Sequence, residues 1–96
     1  MSIDFGIKNK MKGIAPLEIM IRDRNSTLFQ GSADSVSSFN NKGPFDILSQ
    51  HESFISLIKD SVLIRISEKQ EKRIELTSGV LKVRNNKVEI YVGILR

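Results

Sequence analysis

Hydrolytic chemistry in this sequence would have to be built from histidine, serine and aspartate, and their spacing does not build it. His51 is the only histidine, so one chain cannot cluster imidazoles around a metal. Serines are plentiful, but none sits in a Gly-x-Ser-x-Gly turn, the strained elbow that exposes a nucleophilic hydroxyl. A Ser/His/Asp set drawn from His51 and Asp46 is a chance pairing, because the strand pattern gives the two no reason to meet. The six glycines are scattered, which leaves no glycine-rich loop to cradle a phosphate. Carboxylates fall on charged turns, where they are solvated. With no cysteine, disulfide, zinc-finger and thiol chemistry are absent. The chain is read as a binding protein, not an enzyme, with no catalytic residue, metal or cofactor.

Its charge does not favour nucleic acid. There are 15 basic and 11 acidic residues, for a formal net charge of +4. Lys8, Lys10 and Lys12 carry much of that excess in the first residues. The densest charged run, Glu68-Lys69-Gln70-Glu71-Lys72-Arg73, mixes signs. A strand-binding groove combines one sign of charge with stacking aromatics, and only five phenylalanines and one tyrosine are present. No apolar run approaches the roughly 20 residues that span a bilayer. Met1–Lys10 also lacks the positive-then-apolar order of a signal peptide. Membrane association is therefore expected only through partners.

Ninety-six residues hold one core. Residues 1–15 have no sustained period and read as a flexible lead, with Met11 a second possible start. From Leu17 the apolar residues recur with period two, the mark of half-buried strands. Leu17, Ile19 and Ile21 alternate with Glu18, Met20 and Arg22. Asp23–Ser26 is a turn, Thr27–Gln30 a short strand, and Gly31 a bulge or a close backbone approach. Ala33–Ser38 is a weak strand and Phe39–Pro44 a loop. Phe45–Leu48 and Phe54–Ile58 are further strands. Val62–Ile66, Ile74–Leu76, Leu81–Val83 and Val88–Val92 follow, with Ser67–Glu71 a hairpin loop. Asn85-Asn86 suits a two-residue hairpin turn, because asparagine tolerates positive φ. Ile64, Ile74, Leu81, Val83, Val88 and Ile90 are expected in the core. Short strands separated by turns, with no amphipathic helix, predict an all-β domain: a two-sheet β-sandwich of mostly antiparallel strands.

Three stretches, in order, carry a resemblance. They are Leu28–Val36, with Phe29-Gln30-Gly31; Gly43-Pro44-Phe45-Asp46-Ile47-Leu48-Ser49-Gln50-His51; and Ser78–Val88, which includes Gly79-Val80-Leu81-Lys82-Val83. Their sequence and spacing resemble the N-terminal β-sandwich of the ATP synthase epsilon subunit, called delta in mitochondria, over about residues 17–92. The chain departs from the pattern in one turn. Asp46 stands where the family usually has Gly, Ser49-Gln50 where it has Pro-Gly, and Glu52-Ser53 where it has Ala-Pro.

The resemblance implies an epsilon-like sandwich over residues 16–96, without the helical hairpin that follows it in the family. It implies a non-catalytic rotor subunit of a proton-translocating ATP synthase. Such a subunit joins the gamma subunit to the membrane c ring, peripheral on the cytoplasmic face of the plasma membrane. Carried over by position, His51, Phe54 and Ser56 lie toward gamma. Asn41, Lys42, Gly43 and Pro44 lie toward the ring, with Pro44 where the family often has an acid. The alternative is a stand-alone sandwich of the same fold with a different protein partner.

Overall fold

The computed structural model describes residues 15–95. The lead expected over residues 1–15 therefore lies, except for Ala15, outside the described residues. Seven strands follow one another: β1 (Leu17–Arg22), β2 (Thr27–Ala33), β3 (Ser35–Asn40), β4 (Gly43–Leu48), β5 (Phe54–Ser67), β6 (Gln70–Arg84) and β7 (Lys87–Leu95). They hydrogen-bond in the order β2-β1-β7-β6-β5-β3-β4 as one seven-stranded sheet. All pairings are antiparallel except β1 with β7.

The expected all-β architecture holds, but its two layers are halves of one continuous sheet. Leu17, Ile19 and Ile21 of β1 share a single buried cluster with Val36 of β3, Ile47 of β4 and Val62 and Ile64 of β5. Strands that far apart in a sheet meet only if the sheet folds onto itself, which gives a sandwich. The fold line is visible in the register. β5 slips between Ile58 and Asp60, and β6 slips on either side of Ser78. At that level Lys59 and Asp60 are both exposed, as are Thr77 and Ser78. These are β-bulges, which bend a strand and raise its twist. The buried hydroxyl of Ser38 donates to the Ser61 carbonyl at 2.8 Å, so a carbonyl beside the bulge keeps a partner.

Several sequence boundaries shift as a result. Phe54–Ile58 and Val62–Ile66 are one 14-residue strand, and Ile74–Leu76 and Leu81–Val83 belong to one 15-residue strand. The bulges conceal this continuity by placing polar pairs mid-strand. The 39–44 loop narrows to Asn41-Lys42, because Phe39 and Asn40 pair with Pro44 and Gly43. Gly31 is not a bulge: it pairs regularly with Ile19, and the slip lies nearer the turn. A side chain there would make only ordinary contact, 3.5 Å from the Phe29 ring. Ile74 is half-buried against the core rather than inside it, whereas Ile64, Leu81, Val83, Val88 and Ile90 are buried. Asn85 and Asn86 form the tight turn with φ of 52° and 63°.

Candidate partner-binding surfaces

The residues expected toward gamma lie on and just before the inward side of β5. His51 is in the turn between β4 and β5. Its Nδ1 lies 2.7 Å from the Glu52 carbonyl oxygen, which can only accept, so Nδ1 carries the proton. The imidazole meets the Phe54 ring edge-on at 5.5 Å, and Phe54 meets Phe45 of β4 in the same manner at 5.5 Å. Phe54 is half-buried and packs against the core. The Ser56 hydroxyl donates to the Leu57 carbonyl at 2.9 Å and accepts from the Asn40 amide at 3.2 Å. These three residues thus form one internal polar–aromatic seam.

The four residues expected toward the ring form the β3–β4 hairpin tip. Asn41, Lys42 and Pro44 are exposed. The Asn40 side chain accepts from the Lys42 backbone N–H at 2.8 Å, an Asx turn that fixes the tip. Gly43 has φ +117° and open space around it, so backbone conformation rather than crowding demands glycine. Asn40 bonds both Lys42 and Ser56, so the two expected surfaces adjoin.

Other candidate chemistry stays apart. Asp46 accepts from the Ser37 hydroxyl at 2.6 Å, whereas His51 is bonded to backbone. Among the described residues, no three of His, Cys, Asp or Glu gather to hold a metal. No helix among them is long and apolar enough to cross a membrane.

The sequence reading missed a surface on the opposite side of β5. Ile55 is 69% exposed and Leu57 72%, and Val80 and Tyr91 are exposed as well. Register places Leu57 beside Val80, Val80 beside Tyr91, and Tyr91 beside Arg22. An apolar row therefore crosses β5, β6 and β7 on the outer face of one layer. The next row runs Ile55–Lys82–Glu89–Met20. Unlike scattered surface hydrophobics, a contiguous apolar row marks an interaction site. Period two gave the signal, since Ile55 and Leu57 are out of phase with Phe54, Ser56 and Ile58.

Where the row ends, Asp23 organises the β1–β2 turn. Its carboxylate accepts from the Asn25 and Ser26 backbone N–H groups, each at 2.8 Å. Those bonds, Asn25 first, hold its pKa below the ordinary 3.8, because they favour the charged form.

Residues 16–94 match the ATP synthase delta/epsilon chain β-sandwich domain. The chain belongs to that family. It is 30% identical over 82 residues to the ATP synthase epsilon chain of Clostridium novyi (strain NT), covering 84% of this chain and 56% of the relative. It is also 30% identical over 82 residues to the epsilon chain of Sulfurimonas denitrificans, covering 82% of this chain and 62% of that one. It thus spans little more than half the length of these relatives. Two solved assemblies share the fold. One is the Euglena gracilis mitochondrial ATP synthase OSCP/F1/c-ring structure, with TM-score 0.76, 14% identity, and coverage of 93% of this chain and 56% of that chain. The other is the Tetrahymena thermophila central stalk/c-ring, with TM-score 0.72, 16% identity, and coverage of 86% and 67%.

The delta/epsilon pattern also gives its departures a physical meaning. Gln50, in the family's glycine position, has φ 65°. The turn thus has a left-handed residue that is not glycine, and the Gln50 N–H donates to the Asn86 side-chain oxygen at 2.6 Å. Asp46 sits in a regular β4 pairing with Ser37, where no glycine is needed.

Proposed function

We propose that this chain is the β-sandwich of a non-catalytic central-stalk subunit in a proton-translocating rotary ATP synthase. In this reading it couples the gamma subunit to the c ring, peripheral on the cytoplasmic face of the plasma membrane. Coupling needs a stiff body with separate attachments. The folded seven-stranded sheet supplies the body. The observation that carries the proposal is the exposed apolar row on the strand that follows His51. It lies on the strand that, in this reading, faces gamma.

On this reading Ile55, Leu57, Val80 and Tyr91 make the apolar contact with gamma. His51 lies in the turn that leads into β5 and packs on Phe54, and Phe54 and Ser56 brace β5 from beneath. Asn41, Lys42, Gly43 and Pro44 form the tip that meets the polar loops of the ring. The chain itself performs no bond chemistry and needs no cofactor.

Co-purification with the gamma subunit from the same source is the direct test. Folded His51→Asp and Leu57→Asp variants, checked by circular dichroism, are expected to lose gamma. Lys42→Glu is expected to disturb ring attachment and leave gamma binding intact. If the parent chain retains neither gamma nor ring, the reading gives way to a sandwich with another protein partner. If Leu57→Asp binds gamma like the parent, the gamma contact lies elsewhere on the molecule.

A further inference from the structure

The apolar row is bordered by positive charge: Arg22, whose Nε donates to the Asp23 carbonyl at 3.3 Å, and a cluster on the β6–β7 hairpin that makes no ion pair among the described residues. Arg22 closes the row at the β1 edge. On the other side stand Lys82, then Arg84 directly opposite Lys87 across the β6–β7 hairpin. Like charges facing each other across strands repel. Glu89 faces Lys82 and Glu18 flanks Lys87 in register. Even so, none of Lys82, Arg84, Lys87 or Glu89 makes an ion pair among the described residues. Glu18 instead accepts from the Ser32 hydroxyl at 3.1 Å. At the β1 end, Asp23 is committed to its own turn, and Arg24 beside it is exposed.

The outer face of the other layer differs. There Arg65 pairs with Glu71 at 2.8 Å and Arg73 with Glu75 at 3.4 Å. The two arginines of that face each have a carboxylate partner, whereas Lys82, Arg84 and Lys87 have none among the described residues.

We propose that this face docks a protein segment with an apolar stripe flanked by carboxylates, one set near Arg22 and another near Arg84 and Lys87. The proposal rests on the reading that the apolar row is the docking face, and adds the chemistry of what docks there. The apolar stripe supplies the contact that holds the complex. The cations steer encounter and fix which way along the row the segment lies, since complementary charge acts chiefly on association and specificity.

The test measures binding kinetics of the 96-residue chain against the gamma subunit of the same source. Salt is about 0.05 M and about 0.5 M, since screening at the higher value suppresses exposed charge interactions. The variant R22E/R84E/K87E is expected to associate about tenfold more slowly at low salt. Its dissociation should be nearly unchanged, and the difference should largely vanish at high salt. The conservative R22K/R84K variant should associate like the parent. If association is insensitive both to salt and to the reversals while Leu57→Asp still abolishes binding, the docking face stands and the acidic partner falls. If Leu57→Asp binds normally, the docking face falls and this proposal falls with it.

Discussion

The outer faces of the two layers share one backbone sheet and one core, yet they settle their side chains differently. On the β5–β6 half next to β3, arginines pair with glutamates and Asp46 accepts from Ser37. On the half next to β7, apolar side chains and unpaired cations line up in rows. Exposed ion pairs add little stability, typically under about 1 kcal/mol, so the pairing on the first face is not what holds the fold together. What it does is give the guanidinium groups of that face a partner within the chain. The second face keeps its apolar area and charge available, which costs solubility unless another surface covers it. A shared scaffold can therefore present one side with paired arginines and another with an apolar row and unpaired cations through alternation alone.

The sharpest way to break the comparison is to damage what both faces share. Ile64 is fully buried, and Ile64→Ala should cost about 2–5 kcal/mol in a denaturant melt. A loss under about 1 kcal/mol would mean the layers do not share a core. Next comes a matched pair of exposed leucine replacements. Leu57→Asp on the open face should weaken gamma binding by about 30-fold or more, as removing an interface anchor does. Leu48→Asp, on the edge strand β4, should leave binding unchanged, with both variants melting near the parent. Equal losses would erase the distinction between faces.

A smaller effect concerns the turn carrying His51. Gln50 occupies left-handed backbone, where a side chain costs roughly 1–2 kcal/mol. Glycine would relieve that and lose part of the gain to unfolded-chain entropy. Gln50→Gly should therefore raise stability by about 0.5–1 kcal/mol, and destabilisation would contradict the turn geometry. The smallest expected effect is at Asp23. Because its pKa is lowered in the fold, its stabilising contribution is present above the ordinary value of 3.8. That contribution is lost as pH falls through the depressed one. A carboxyl carbon NMR titration should show Asp23 protonating below that value, and Asp23→Asn should flatten the acid limb of unfolding. A normal titration midpoint would show that the turn does not hold the carboxylate.

Much of the fold was legible because strand alternation and turn chemistry act locally. Leu17, Ile19 and Ile21 gave β1 its face, and Asn85-Asn86 gave the last hairpin. The long strands were not, because a β-bulge resembles a break: Thr77-Ser78 interrupts β6 in sequence but not in hydrogen bonding. The signal was present in the switch from even to odd apolar positions between Leu76 and Leu81. His51, Phe54 and Ser56 were expected as residues facing gamma, but the ties that join them to Phe45 and Asn40 were not legible, because they depend on how the strands pair. The apolar row was hidden for the same reason. Leu57, Val80 and Tyr91 are distant in sequence and become neighbours only through β5–β6–β7 register.

The parallel pairing of β1 with β7 has a consequence for how the chain assembles. β5 and β6 are sequence neighbours and can zip from their shared turn, closing a short loop. β1 pairs with a strand at the far end of the chain, joining Ile19 to Val88 and Ile21 to Ile90. Of the seven described strands, β1 and β2 are made before β7, yet the buried side of β1 is covered only once β7 has been made. Until then Leu17, Ile19 and Ile21 stand uncovered, an interval in which a chaperone or a neighbouring nascent chain can reach them.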